Sequence, residues 1–260
     1  MFGFIITIAT LFISAFFIES VTNLENFYFL IISYSVLGIF PLIWFSGELK
    51  KQGKTFSDIV YIKGFRDYIQ PIIILTITLI IFSLGAFWLF GFVLSNPFPG
   101  YIEVLLQEDI IFPTNGILIF LMAFYICILG PFVEEFIFRG LLLKRIAKKS
   151  NIIISIFVTN ILFAIMHGDI IGSFVFGFIA SLLYLLSGNL LVPIAIHVLN
   201  NTFATLLIIF DPPLPSFLYY GNIIQLRGHA LPHIIILAIT IPIIAFYIRK
   251  YSTVLSKENR

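Results

Sequence analysis

Charge is scarce in this sequence. Only 11% of its 260 residues are charged and 60% are hydrophobic, whereas an ordinary soluble domain carries roughly 25% charged and about 45–50% apolar residues. No soluble fold of this length hides so much apolar surface, so lipid is the solvent for most of the chain. Cysteine is nearly absent. The single Cys127 excludes an intramolecular disulfide and a cysteine-based zinc site. The His-Glu-x-x-His helix of common zinc proteases is missing. No charge run and no interleaving of basic and aromatic residues points to nucleic acid. The sequence also lacks strand-like alternation, internal repeats and low-complexity segments. Its start, MFGFIITIATLFISAFFIES, has neither the basic flank nor the small-residue cleavage site of a signal peptide, and reads as a retained first helix.

What the sequence has is long apolar runs, rich in the 31 phenylalanines. A membrane span needs about 20 mostly apolar residues. Eight candidates run over Phe2–Ile18, Phe27–Phe45, Pro71–Leu94, Gly116–Val133, Ile152–Met166, Ile170–Leu186, Leu190–Ile209 and Ala230–Ile248. The expected fold class is therefore all-α, a polytopic membrane helical bundle of about eight transmembrane helices. Lys50, Lys51, Lys54, Lys63 and Arg66 fall between the second and third spans. Arg139, Lys144, Arg145, Lys148 and Lys149 fall between the fourth and fifth, and Arg249, Lys250, Lys257 and Arg260 form the tail. An eight-span count puts all three segments on one side, which the positive-inside rule makes cytoplasmic. Both termini are then expected in the cytoplasm. The expected organisation is N-terminal transmembrane helices over 1–110, a helical core over 111–248 and a basic tail over 249–260.

Polar groups at membrane depth cost about 2.5–3.5 kcal/mol each on insertion scales and often mark function. Here they are Glu134, Glu135, Arg139, His167, Asp169, His197, Asn200 and Asn201. In PFVEEFIFRG, Glu135 and Arg139 stand four residues apart on one helix face and can pair, while Glu134 points about 100° away. A helix-end charge cluster at the membrane surface is the plain alternative. In FAIMHGD, Phe163 and His167 share a face; a lone histidine at a helix end is ordinarily structural. In HVLNN, His197 and Asn201 share a face in the middle of a span, where interhelical hydrogen bonding is the alternative.

Hairpin geometry relates these sites. With a tip near Ser150, Glu134 lies 16 residues before it and His167 lies 17 after, so each stands about 25 Å from the tip. With the next tip near Gly188, Asn201 lies 13 residues in, about 20 Å. Span counting alone places Glu134 near the cytoplasmic end and His167 near the external end. The hairpin geometry instead implies a long fourth helix with Glu134 inside the bundle.

EEFIFR, FAIMH and HVLNN fit Glu-Glu-x-x-x-Arg, Phe-x-x-x-His and His-x-x-x-Asn. Together and in this order on late helices they resemble the CAAX-protease and bacteriocin-processing (CPBP, or Abi) family of intramembrane glutamate proteases, which includes the Ras-converting CAAX endopeptidase. The resemblance covers roughly 115 to 210. It implies that Glu134 activates water with help from His167, that His197 and Asn201 stabilise the oxyanion, that Glu135 and Arg139 hold the site in shape, and that Phe163 packs beside His167. The chemistry is sound: amide hydrolysis needs a base near neutral pH, which a carboxylate in low-dielectric surroundings can be. Oxyanion donors are typically worth about 3–4 kcal/mol each.

The implied function is an intramembrane endopeptidase acting near the C-terminus of prenylated (CAAX-type) or other membrane-associated peptides or proteins, reached from the membrane or the cytoplasmic face. No cofactor is expected. Zinc is the rival, since the family was long described as metalloproteases, but adjacent glutamates cannot easily aim at one ion. A non-catalytic bacteriocin-immunity or secretion scaffold of the same family is a further alternative. A proton-coupled transporter ranks last, because no paired broken helices in two related halves appear. The compact single-domain plan points to a multi-pass protein of a prokaryotic cell membrane.

Overall fold

The computed structural model describes residues 30, 32–107, 116–210, 212, 215, 217, 218 and 220–258. The expected span Phe2–Ile18 and the start of the second lie outside them. Among the described residues there is no strand, and five helices are long and apolar enough to cross a membrane, with one shorter apolar helix beside them. The protein is an all-α integral membrane bundle.

Helix α1 begins with a π-helical segment, Ser33–Ile39, and continues as Phe40–Lys51. Helix α2 spans Ile69–Leu94, entered through a tight 3₁₀ turn at Phe65–Tyr68. A short helix α3 follows over Pro99–Gln107. Helix α4 runs from Gly116 to Ala147, far beyond the expected end at Val133. Helix α5 is Ile152–Ile165, α6 is Ile170–Ser187 and α7 is Leu191–Phe210. The short α8, Ile223–Gly228, leads into α9, Ala230–Glu258, so the basic tail from 249 continues a helix.

Helix α2 is the axis. It packs on α9, α6 and α7, and its apolar sequence meets them with Leu75, Leu79, Phe82 and Ala86, all buried. Two small caps close its ends. At one end the 52–68 loop docks on the α6–α7 turn: Tyr61 N–H donates to Asn189 Oδ1 at 3.2 Å, and Leu190 N–H donates to Ile59 O at 2.8 Å. Gly188 turns that corner at φ +63°, a left-handed conformation that glycine adopts at little cost. Arg145 of α4 reaches Glu48 of α1 at the same end, at 2.8 Å, so two of the basic segments meet there. At the other end Tyr220, Leu226 and Ile102 form a second core with Trp88.

The α5–α6 hairpin fixes the depth of everything polar. Helix α5 has 14 residues, about 21 Å, too short for a hydrocarbon core of about 30 Å. Asn151 starts it by accepting from Ile154 N–H at 2.9 Å. At its far end the chain turns at once, because the Asp169 side chain caps α6 through Gly172 N–H at 2.9 Å and also accepts from the Ser83 hydroxyl of α2. Ser83 lies eleven residues before the end of α2, so the apex stops about 16 Å short of that end. His167 therefore sits within the bundle and not at its external face. Span counting alone misplaced it, because a 14-residue helix cannot carry it across. The hairpin geometry placed it correctly.

The α2–α9 seam depends on Gly85. A Cβ there would lie 2.6 Å from Ile236 Cγ2 and 3.2 Å from its Cβ, atoms of a stiff β-branched side chain. Gly85→Ala is predicted to destabilise the bundle by about 1–3 kcal/mol, read as a lower thermal unfolding midpoint in detergent. Adding Ile236→Ala should recover part of the loss. An unchanged midpoint for Gly85→Ala would show that this close approach does not hold the seam.

Candidate active site

The adjacent carboxylates Glu134 and Glu135 stand between two π-helical stretches of α4, Tyr125–Leu129 and Phe136–Leu143. Widened turns of this kind often accompany functional sites. The two side chains diverge, as neighbours on a helix must, and each meets a different edge of the same histidine.

Glu135 is fully buried. Its Oε1 accepts from Arg139 Nη1 at 2.9 Å and bonds His197 Nδ1 at 2.8 Å. Arg139 is also fully buried. Its Nη2 donates to the Gly177 carbonyl at 3.0 Å and to Asn160 Oδ1 at 3.3 Å, and the guanidinium lies 4.7 Å from the centre of the Phe163 ring. Asn160 is held in turn, donating to Ile156 O at 2.8 Å and to Ser181 Oγ at 3.2 Å. One guanidinium thus ties α4, α5, α6 and, through Glu135, α7. Gly177 makes room for it: a Cβ there would lie 2.5 Å from Asn160 Oδ1 and 3.0 Å from Arg139 Nη2.

These bonds set the tautomers. A carboxylate only accepts, so His197 carries its hydrogen on Nδ1 and, when neutral, presents a bare Nε2. His167 does the same, because its Nδ1 faces the Phe163 carbonyl at 2.7 Å. Its ring rests on that of Phe163, with centroids 4.3 Å apart. Glu134 Oε2 lies 3.7 Å from His167 Nε2 and 3.8 Å from His197 Nε2. Those distances exceed a direct hydrogen bond, and Oε2 is buried with no hydrogen-bond partner. Three acceptor atoms from α4, α5 and α7 converge with no hydrogen between them.

A cavity of about 60 Å³ adjoins them, bordered by both imidazoles, Phe163, Phe176, Asn200 and Asn201, with Ser83 and Ser173 at its α2 and α6 sides. One water needs roughly 10–15 Å³. Glu134 does not itself border the cavity; it lies against the two histidines that do. Asn201 Nδ2 donates to the Ile126 carbonyl of α4 at 3.0 Å, and its Oδ1 accepts from Asn200 Nδ2 at 3.3 Å.

All seven expected residues, Glu134, Glu135, Arg139, Phe163, His167, His197 and Asn201, are brought together. Sequence reasoning missed Asn160, Gly177 and Ser181 behind Arg139, and the Ser83–Asp169 bond beside His167. Asn160 left a signal, as an amide within an apolar helix one turn before Phe163. Gly177 left none. The two glutamates do not aim at one ion. Glu135 faces Arg139 and the Nδ1 edge of His197, so it cannot share an ion with Glu134. Among the described residues no group of three or more His, Cys, Asp or Glu is arranged to hold a metal.

Removing one partner of a buried ion pair strands the other charge, at about 3–5 kcal/mol. Arg139→Leu is predicted to lower stability by that order, measured as a fall in the thermal midpoint of the purified protein. A midpoint equal to wild type would mean that Arg139 does not hold the four helices.

Known proteins resemble this chain over the segment that holds the site. Residues 116–203 match the sequence model of the family described as Type II CAAX prenyl endopeptidase Rce1-like. The chain is 35% identical over 114 residues to the "Membrane-embedded CAAX protease MroQ" of Staphylococcus aureus (strain USA300), covering 40% of this chain and 45% of that protein. It is 30% identical over 90 residues to the "Putative membrane peptidase YdiL" of Bacillus subtilis (strain 168), covering 34% of this chain and 37% of that protein. The matched stretch thus spans less than half the length of these curated relatives. No solved structure matches significantly. The matched segment holds all three motifs and every residue of the converging site, and over that segment the chain is similar to the CAAX-type membrane proteases.

Proposed function

We propose that the protein is an intramembrane endopeptidase that hydrolyses a peptide bond with water activated by Glu134. The convergence of Glu134 Oε2, His167 Nε2 and His197 Nε2 at 3.7–3.8 Å carries the proposal. A water placed among these three atoms can donate a hydrogen to two of them. A water bridging contacts beyond 3.5 Å is the ordinary solution, and it would turn its own lone pairs toward the cavity. Glu134 takes one of its protons as the oxygen attacks, and His167 holds the other hydrogen in line. This places acid–base work on a positioned carboxylate, a contribution typically of about 10²–10⁴-fold.

His197 has a second task. Its hydrogen on Nδ1 is committed to Glu135, so the neutral ring accepts at Nε2. It donates toward the cavity only as imidazolium. Glu135, Arg139 and Phe163 position the rings. The proposed mechanism uses no metal.

The proposed substrates are membrane-associated polypeptides cut near the C-terminus, prenylated CAAX-type chains among them. Support comes from the likeness to the CAAX-type family and to the staphylococcal protease, and from a site that opens within an apolar bundle. We further propose that the end where α1 meets the α4–α5 turn is cytoplasmic, since the basic loops gather there.

Glu134→Gln keeps the shape and removes the base. It is predicted to lower kcat on a cleaved peptide at least about 100-fold, with the thermal midpoint unchanged, and His167→Ala should act in the same direction. Wild-type cleavage that survives Glu134→Gln would refute the glutamate mechanism. Incubation with EDTA or 1,10-phenanthroline is predicted to leave wild-type activity intact. Loss of activity restored by added zinc would establish the metal mechanism instead.

A further inference from the structure

The hydrogen-bond donors facing the cavity are few enough to count. His167 and His197 commit their Nδ1 hydrogens to Phe163 O and Glu135 Oε1, and a neutral imidazole has no second N–H. Ser83 commits its hydroxyl hydrogen to Asp169, as Gly172 does its N–H, while Ser173 brings one further hydroxyl to the α6 side of the cavity. The Asn201 amide is oriented by the Ile126 carbonyl, which can only accept, so its nitrogen faces α4 and its oxygen faces away. That oxygen accepts from Asn200 Nδ2, which fixes the polarity of the Asn200 amide as well. A primary amide has two N–H bonds, and each asparagine uses one of them in these contacts. Asn200 borders the cavity beside Asn201 and both imidazoles. The His-x-x-x-Asn motif accounts for Asn201 only.

We propose that Asn200 is a catalytic residue whose second amide N–H donates, together with Asn201, to the oxyanion formed on the scissile carbonyl. The idea rests on the peptidase proposal. As the water oxygen bonds to the carbonyl carbon, the C=O π pair moves onto the carbonyl oxygen and one water proton passes to Glu134. The two amides donate to that oxygen. On collapse the oxygen pair re-forms the C=O bond, the C–N bond breaks, and the proton on Glu134 goes to the departing nitrogen. A donor aimed at developing charge acts on kcat more than on KM.

The test uses the full chain, purified in detergent, with two probes: a farnesylated CAAX-type peptide and an unmodified hydrophobic peptide, cleavage being read by mass spectrometry. Asn200→Ala is expected to lower kcat about 100-fold with KM little changed and the thermal midpoint held. Asn200→Ser, which keeps a donor, should recover part of the rate. The double variant Asn200→Ala/Asn201→Ala should fall below either single variant. Asn200→Ala with wild-type kcat, while Glu134→Gln is inactive, overturns the role of Asn200 and spares the peptidase. A double variant no slower than Asn201→Ala alone also overturns it, since Asn200 would then only orient its neighbour. If folded wild type cuts neither peptide, both proposals fall together.

Discussion

The guanidinium of Arg139 is the fixed point of this structure. A cation taken wholly out of water is costly unless it is paired and hydrogen-bonded, and Arg139 meets an acceptor on each helix around it: Glu135 on its own, Asn160 on α5 and the Gly177 carbonyl on α6. Lysine, a point charge on a flexible stem, does not present a planar fork that reaches three acceptors in different directions. Because Glu135 is shared with His197, the same contact that satisfies the cation fixes the ring orientation and tautomer of the histidine on α7. Stability and site geometry are one network here. The helices cannot shift without breaking the bonds that aim the imidazole.

Charge counting shows what the network leaves open. With both histidines neutral, the group formed by Glu134, Glu135, Arg139, His167 and His197 carries two negative charges and one positive. One proton among Glu134 and the two Nε2 atoms makes it neutral, and the Glu134 oxygen lies 3.7 Å from one Nε2 and 3.8 Å from the other. Glu134 thus has two imidazole nitrogens at similar distance with which it can share that proton. That is a suitable arrangement for taking a proton from water and returning it to a leaving nitrogen.

The residues that meet in the site were legible in the sequence because each breaks an apolar run with a group that lipid disfavours. Residue counting along two hairpins was enough to bring Glu134, His167 and Asn201 to similar depth. The supporting shell was not legible. Gly177 in FVFGFIAS looks like any small residue of a membrane helix, and only the tertiary position of Arg139 gives its missing Cβ a meaning. The Ser83–Asp169 bond joins residues 86 positions apart, and no local pattern announces such a partner. The π-helical turns around Glu134 were equally hidden, since an apolar run has no polar face against which a change of phase could be seen.

The shortness of α5 links the fold to the chemistry. Were α5 to cross the full hydrocarbon thickness, the turn after His167 would reach the membrane surface and the histidine would meet bulk water, far from Glu134. Ending after 14 residues, it leaves a polar turn within the bundle, and irregular backbone at that depth is tolerated only where protein or a wet cavity covers it. Asp169 covers it by capping α6 and binding Ser83. The same enclosure explains why donors are scarce. Most polar hydrogens beside the cavity are committed to internal acceptors, and among those left for a substrate carbonyl are the second N–H bonds of two adjacent amides on α7. A site that hydrolyses a peptide bond inside lipid must exclude most water yet keep a few uncommitted hydrogens, and a primary amide with one hydrogen bonded and one free meets both demands.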